Sequence, residues 1–470
     1  MSQTQTVVST SVGLPRASLQ GDSSAISDHA QIELEELGRR DSAKSIRIST
    51  GPTTPLSEPL SRAEAWKGPV QFATLCWTLF LAGWNDGTTG PLLDRIREVY
   101  HANFAIVSLI FVLNTVVSVE VADNCHLLIL AGIRLRSTFE CVSDRQVWIR
   151  KGSIAQVAGY AINCGAPPFP VFVFAYALNG FGIALQDAGA NGYVAAFKKG
   201  AATKMGILHA IYGAGAFVAP LVATQFAQLP RWSFHFLTSL GISISNTALL
   251  IAVFRFKTQE QCLADAGQPA DTTVLDQGNK MKHIFKMKEV HLLATFILAY
   301  IGVEVTLGGW IVTYIKEVRG GGPDSGYISS GFFGGLALGR VALLWLNKLV
   351  GERRIVFAYI LMAIVLELIV WLVPSLIGGG VAISFVGFVL GPIYPIVMNH
   401  AARILPPWIL TGSIGWIAGF GQAGSAFIPF ITGAIASSKG IGSLQPLLVS
   451  LSSAMLVIWF IVPSSPRKVD

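Results

Sequence analysis

An all-α membrane protein, with about twelve transmembrane helices in two six-helix bundles, is the architecture this sequence predicts, and three observations predict it. Hydrophobic residues make up 52% of the 470 and charged residues only 13%, roughly half the charged share of a soluble domain. Apolar stretches near the roughly 20 residues that a helix needs to cross the hydrocarbon recur along the chain. Lys and Arg fall largely on one side of the alternation those stretches define.

Along the chain, residues 1–67 are rich in Ser, Thr and charge, have no apolar run or signal-peptide pattern, and predict a disordered cytoplasmic tail. Apolar stretches follow at about 69–93, 103–119, 152–166, 170–197, 203–227 and 233–254, an N-terminal bundle over 68–254. The longest polar interruption, 255–289, predicts a cytoplasmic central loop. Further stretches at about 290–315, 326–346, 355–374, 377–401, 408–436 and 444–463 form a C-terminal bundle over 290–463, and 464–470 a short cytoplasmic tail.

Orientation comes from the basic residues, which gather on the cytoplasmic side. Of 34 Lys and Arg, 27 lie in the tails, the central loop and the even-numbered loops, six in odd-numbered loops, and Arg340 inside a span. Both termini are therefore expected in the cytoplasm, in a plasma or vacuolar membrane. The same placement explains the net charge of +7: these charges set topology and meet anionic head groups, so nucleic acid is not an expected partner. Five scattered cysteines, with no CxxC pair, exclude a disulfide framework or a zinc site.

A short repeat relates the halves. The fifth stretch reads Gly215-Ala216-Phe217-Val218-Ala219-Pro220 and the eleventh Gly424-Ser425-Ala426-Phe427-Ile428-Pro429, the pair that internal repeats would superpose. No P-loop, HExxH or GxSxG occurs. The lone GxGxxG, Gly419 to Gly424, lies inside an apolar stretch and predicts close helix packing. No cofactor or enzymatic activity is expected, and any uphill transport must draw on an ion gradient.

Ionisable side chains in the hydrocarbon are expensive, about 2.5–3.5 kcal/mol each on insertion scales, so each needs a reason. Asp86 sits in Gly83-Trp84-Asn85-Asp86-Gly87-Thr88-Thr89-Gly90-Pro91, whose glycines and proline predict a bent or unwound helix. It either binds a ligand or proton there or caps the break. Asp187 and Asn191 are four apart on one helix face, with Gln186 offset, and suit a wet cavity. Glu304 either takes a proton or pairs with Arg340 in the next span. Glu367 stands alone in its span and reads as a structural or protonated acid. His209 and Tyr212 form a weaker polar pair, for binding or packing.

At these residues the chain resembles the major facilitator superfamily and, within it, the fucose-permease-like branch of proton-coupled sugar symporters. The resemblance covers about 68–463 apart from 118–150. That branch has an Asn-Asp pair followed by proline in its first helix, matched by Asn85, Asp86 and Pro91. Its fourth helix has an acid four residues before an Asn, matched by Asp187 and Asn191. The fifth-helix polar pair falls on His209 and Tyr212, though the side chains differ. Tyr300, Gly302 and Glu304 stand where the seventh helix has Tyr-x-Gly-x-Gln; Gly339-Arg340 and Tyr394-Pro395 match the eighth and tenth. The resemblance implies proton coupling and sugar binding at the two aspartates, with a neutral sugar or polyol as solute, carried by a monomer. A membrane nutrient sensor that binds without transporting is the alternative.

The superfamily's loop signature, Asp-Arg-x-Gly-Arg-Arg, survives only as Asp144-Arg145, with a degenerate second copy at Asn347-Lys348 and Gly351-Glu352-Arg353-Arg354. In the family it ties helix ends together by charge. Residues 118–150 depart further: Glu120, Asp123, Asn124, Arg134 and Arg136 interrupt what should be a small apolar helix. Two readings stand, a divergent loop or, favoured here, a mis-joined translation of an unremoved intron. Either predicts a segment that folds poorly, packs against the cytoplasmic face or enters the membrane only in part.

Overall fold

The computed structural model describes residues 62–115, 145–197, 200–255, 257–265 and 278–464. The tail to residue 61, the atypical stretch as far as Asp144, and residues 465–470 lie outside the described residues, so the expectations placed on them find no structural counterpart here. The principal helices are α1 (Arg62–Val99), α2 (Phe104–Thr115), α3 (Arg145–Cys164), α4 (Phe169–Ala195), α5 (Ala201–Ala227) and α6 (His235–Phe254). They continue as α7 (Lys288–Arg319), α8 (Tyr327–Ala342), α9 (Glu352–Leu372), α10 (Leu376–Ile404, broken at Gly391-Pro392), α11 (Pro407–Lys439) and α12 (Leu444–Ile461). Among the described residues there is no strand.

Eight of these helices are long and apolar enough to cross a membrane, or nine if α8 and the short helix Leu344–Val350, bent from it by 53°, count as one span. The other three are α1, α2 and α3. The helical part of α2 described is short, and α1 carries Asn85, Asp86 and several threonines through its middle. Two boundaries shift: α1 begins at Arg62, inside the expected tail, and α3 begins at Arg145, inside the atypical stretch.

Packing repeats itself with a period of six helices. In the first set α1 packs on α5, α3 on α4 and α6, and α1 on α6; in the second α7 packs on α11, α9 on α10 and α12, and α7 on α12. The repeated glycines show why. A Cβ on Gly215 would stand 2.1 Å from the carbonyl oxygen of Phe80, and one on Gly424 2.2 Å from that of Leu298. Both lie far inside van der Waals contact, so each half closes its first and fifth helices backbone to backbone. Across the two sets α1 meets α7, α2 meets α11 and α5 meets α8. At the first of these, a Cβ on Gly90 would lie 2.2 Å from the oxygen of Gly308.

Two expectations need correction. Of bending or unwinding at Gly83–Pro91, unwinding does not occur: the stretch stays helical, its glycines serving close approach to α5 and α7 and Thr88 bonding back to the carbonyl of Trp84 at 2.7 Å. The central polar stretch is not all loop. Residues Gln259–Asp265 form a helix opened by a capping box, with Thr258 N donating to Gln261 Oε1 at 3.0 Å and Gln261 N to Thr258 Oγ1 at 3.3 Å. This helix buries Cys262 and Leu263 among Leu75, Cys76, Tyr193 and Phe254. A second short helix, Gly278–Ile284, packs against α11.

Candidate solute-binding site

The first helix set supplies two carboxylates and their neutral partners. In α1, Asp86 Oδ2 accepts from the hydroxyl of Tyr212 (α5) at 2.5 Å, and its Oδ1 lies 3.4 Å from the amide nitrogen of Asn85. Asn85 is in turn held by Tyr160 of α3, whose hydroxyl donates to its Oδ1 at 3.1 Å. In α4, Asn191 donates to Asp187 Oδ1 at 2.9 Å, as the four-residue spacing predicts. Neither aspartate has a salt-bridging cation among the described residues.

The second set supplies a charge pair. Arg340 of α8 lies 3.8 Å from Glu304 Oε1 of α7, so of the two expected roles for Glu304 the ion pair is the one the geometry displays. Tyr300, one turn earlier, donates to the carbonyl of Leu390 at 3.1 Å, at the break in α10. That carbonyl lies where Pro392 interrupts the ladder, and the ring of Tyr394 just beyond stands 6.5 Å from that of Tyr300.

These groups converge. Asp86 is within electrostatic reach of Asp187 and of Glu304; Tyr212 and His209 feel Arg340; Tyr394 feels Asp187, Glu304 and Arg340. Asp86, Asp187, Asn191, His209, Tyr212, Glu304, Arg340 and Tyr394 are all half-buried, in helices whose neighbouring positions are mostly sealed. Groups from six helices thus share one polar, accessible region between the two sets.

Gln186 does not join them. It is 2% exposed and turned into the bundle, where it donates to Gln156 and accepts from Asn246 at 2.7 Å, while Asn246 accepts from Thr78 at 2.8 Å. The roughly 100° between adjacent helix positions puts it on the buried side of α4 when Asp187 faces the cavity. Of the two expected structural charges of the loop signature, Arg145 is the first residue of α3 and Asp144 lies outside the described residues. Glu367 is 1% exposed, buried within α9, and is not among the groups gathered here. Tyr160 was not legible in advance: a single tyrosine in a polar-flanked helix carries no signal until its partner Asn85 is placed.

Two helix sets of like packing, with polar groups gathered where they meet, define a membrane transporter of small solutes. The sequence matches the Major Facilitator Superfamily over residues 75–429, and the chain belongs to that family. A curated relative, bypass of stop codon protein 6 of Saccharomyces cerevisiae (strain ATCC 204508 / S288c), is 26% identical over 93% of this chain and 94% of its own length. The fold is similar to a crystal structure of the nucleoside transporter NupG, with a TM-score of 0.64 at 11% identity over 83% of this chain and 98% of that one. It is also similar to the E. coli fucose:proton symporter FucP, with a TM-score of 0.57 at 14% identity, over 84% and 99% of the two chains.

Proposed function

We propose that this chain is a proton-coupled symporter of a neutral sugar or polyol, working as a monomer by alternating access. The bundles 68–254 and 290–463 would rock about the site between them. One observation carries the reading: among the described residues the half-buried carboxylates Asp86 and Asp187 are ordered by neutral donors, while Arg340, the cation of this cluster, is engaged by Glu304. Carboxylates ordered by a phenol or an amide keep free lone pairs for sugar hydroxyls, and without a cation they favour taking up a proton. Tyr394, His209 and Asn191 add donors, and the similarity to a fucose:proton symporter points the same way.

Uptake by protein reconstituted in liposomes, screened across sugars and polyols with and without an inward proton gradient, tests this. Accumulation that follows the gradient supports the reading. Binding without uptake would favour a nutrient sensor and overturn it. Both termini and residues 255–289 are placed on the cytoplasmic side in this proposal. Cys262 cannot report that, being fully buried, so an impermeant thiol reagent on a Gln261→Cys variant, at an exposed neighbouring position, is the measurement. Labelling from outside intact cells would reverse the topology.

A further inference from the structure

The ends of α1 and α7 that lie away from the N-terminus carry seven charges that none of the foregoing uses; Arg95 pairs with Glu98 inside α1, Arg319 binds the end of α9, and the other four form one network. Asp94 is 4% exposed, although it stands only two turns from the polar end of its helix. Its Oδ1 accepts from Arg97 Nη2 at 3.1 Å, within α1, and its Oδ2 from Lys316 Nζ at 3.3 Å, across to α7. The same Arg97 nitrogen donates to Glu317 of α7, and the guanidinium lies 4.5 Å over the ring of Phe104 at the start of α2. The order Lys316, Asp94, Arg97, Glu317 alternates in sign and sums to zero. Every link but Asp94–Arg97 crosses between the two helix sets.

Neighbouring polar contacts cross at the same face. Gln228, just past α5, donates to Asp324 at 3.3 Å, Gln225 bonds Tyr327, and the amide of Ala105 donates to Ser437 of α11 at 2.8 Å. At the opposite face, among the described residues, three bonds lie within one set: Arg150 donates to the carbonyl of Arg255, Arg353 to that of Val462, and Arg403 pairs with Glu352 at 2.8 Å.

We propose that Lys316, Asp94, Arg97 and Glu317 form an ionic latch that holds this face of the transporter shut and sets how often it opens. Opening here must part α1 from α7. That breaks both cross-set contacts of Asp94 and Arg97, and leaves Lys316 and Glu317 as sequence neighbours that do not face each other on a helix. Asp94 then keeps one cation where it had two. In the closed state Asp94 is held out of water, so removing either of its cations leaves a buried charge less compensated there than in the open, wetted state, and the balance moves toward opening. The latch therefore weights the equilibrium toward the state seen here, and salt weakens it at its more exposed members, Arg97, Lys316 and Glu317.

Ser329 of α8 reports the latch without touching it. It is fully buried, and its hydroxyl lies 3.3 Å from where a Cβ on Gly90 would stand, one turn inward of Asp94. The experiment places Ser329→Cys as the single cysteine of the full chain in nanodiscs and measures its rate of modification by a bulky hydrophilic maleimide. Asp94→Asn and, separately, Lys316→Gln with Glu317→Gln should each speed labelling about tenfold, the population shift expected from losing one such contact, and raised salt should speed the parent. Lys316 and Glu317 are 23% and 35% exposed, so the second variant folds even where Asp94→Asn does not; melting temperatures of both monitor this. Unchanged rates in the Lys316/Glu317 variant overturn the latch. The assay needs no solute. A chain that labels as expected but carries no sugar fails only the functional proposal, and one that carries sugar with unchanged labelling fails only the latch.

Discussion

The two helix sets lend the site walls of the same build and opposite electrostatics. Backbone packing is matched at one close approach in each, Gly215 against Phe80 in one set and Gly424 against Leu298 in the other. Yet the first set offers Asp86 and Asp187 with neutral partners, and the second offers Glu304 already joined to Arg340. Repeated packing fixes where side chains stand; the side chains then divide the work. One wall holds two carboxylates ordered by a phenol and an amide, and the other an ion pair that is neutral as a whole.

The sharpest way to break that comparison is to neutralise the first wall. Asp86→Asn, and Asp187→Asn separately, should bring proton-driven accumulation down to simple equilibration, while solute exchange stays measurable. Undiminished accumulation in both variants would move coupling elsewhere, with Glu304 the next group to test.

A second substitution pair tests the shared packing. Gly215→Ala and Gly424→Ala each push a methyl into a backbone carbonyl that has nowhere to go, so each should destabilise the protein by about 1–3 kcal/mol. Thermal unfolding of detergent-purified protein reads this. Similar losses in the two variants support equivalent roles; a loss in only one would make the repeat a coincidence of composition.

The charge pair of the second wall should show a different pattern. Glu304→Gln or Arg340→Met alone leaves a partly buried charge without its partner and should lower stability by about 1–2 kcal/mol, discounted because both side chains still reach solvent. The double variant should recover most of that. Additive losses in the same thermal assay would mean that the two residues act separately despite their 3.8 Å approach.

How much of this was legible in the sequence depends on how far apart the interacting residues are. Gly215 and Gly424 were legible because they recur in register, and Asp187 with Asn191 because a helix brings positions four apart together. Asp86, Glu304 and Arg340 stood out as charges inside apolar stretches, but Tyr212, which bonds Asp86, lies 126 residues from it, and Tyr160, which bonds Asn85, lies 75 residues from that amide. Gln186 was misplaced because sequence proximity to Asp187 says nothing about facing. Asp94 and Lys316 looked like ordinary charges at span ends, and only the meeting of α1 and α7 makes them a network. The helix Gln259–Asp265 had a signal, the Thr258-x-x-Gln261 capping box, but seven residues are too few for a periodic pattern to support it.

That small helix provides the weakest expected effect. Lys257 donates to Asp265 and, with Lys67 3.6 Å away, holds the Asp265 carboxyl below the usual carboxylate range. A depressed folded-state pKa adds stability that is present above the unfolded value and lost as pH falls through the folded one. Docking of the helix should therefore loosen only below about pH 4, the ordinary aspartate range. Reactivity of the buried Cys262 toward a thiol reagent that works in acid, such as a dipyridyl disulfide, should rise there and stay flat from pH 5 to 7. Asp265→Asn should raise it modestly from pH 5 to 7 and abolish the further rise in acid.

The meeting of Gly90 with Gly308 has a mechanical consequence. Two bare backbones in contact offer a fulcrum with no side chain to unseat, so tilting one helix against the other exchanges little packing at that point. The lever it makes is lopsided. Asp94 stands four residues beyond Gly90, roughly 6 Å of helix, whereas Arg62 stands twenty-eight residues on the other side, roughly 42 Å. A tilt that draws Asp94 and Lys316 apart by about 2 Å, enough to sever a charged hydrogen bond, swings the far end of α1 about seven times as far. Small displacements among four charges on the short arm are thereby geared to a wide sweep on the long one.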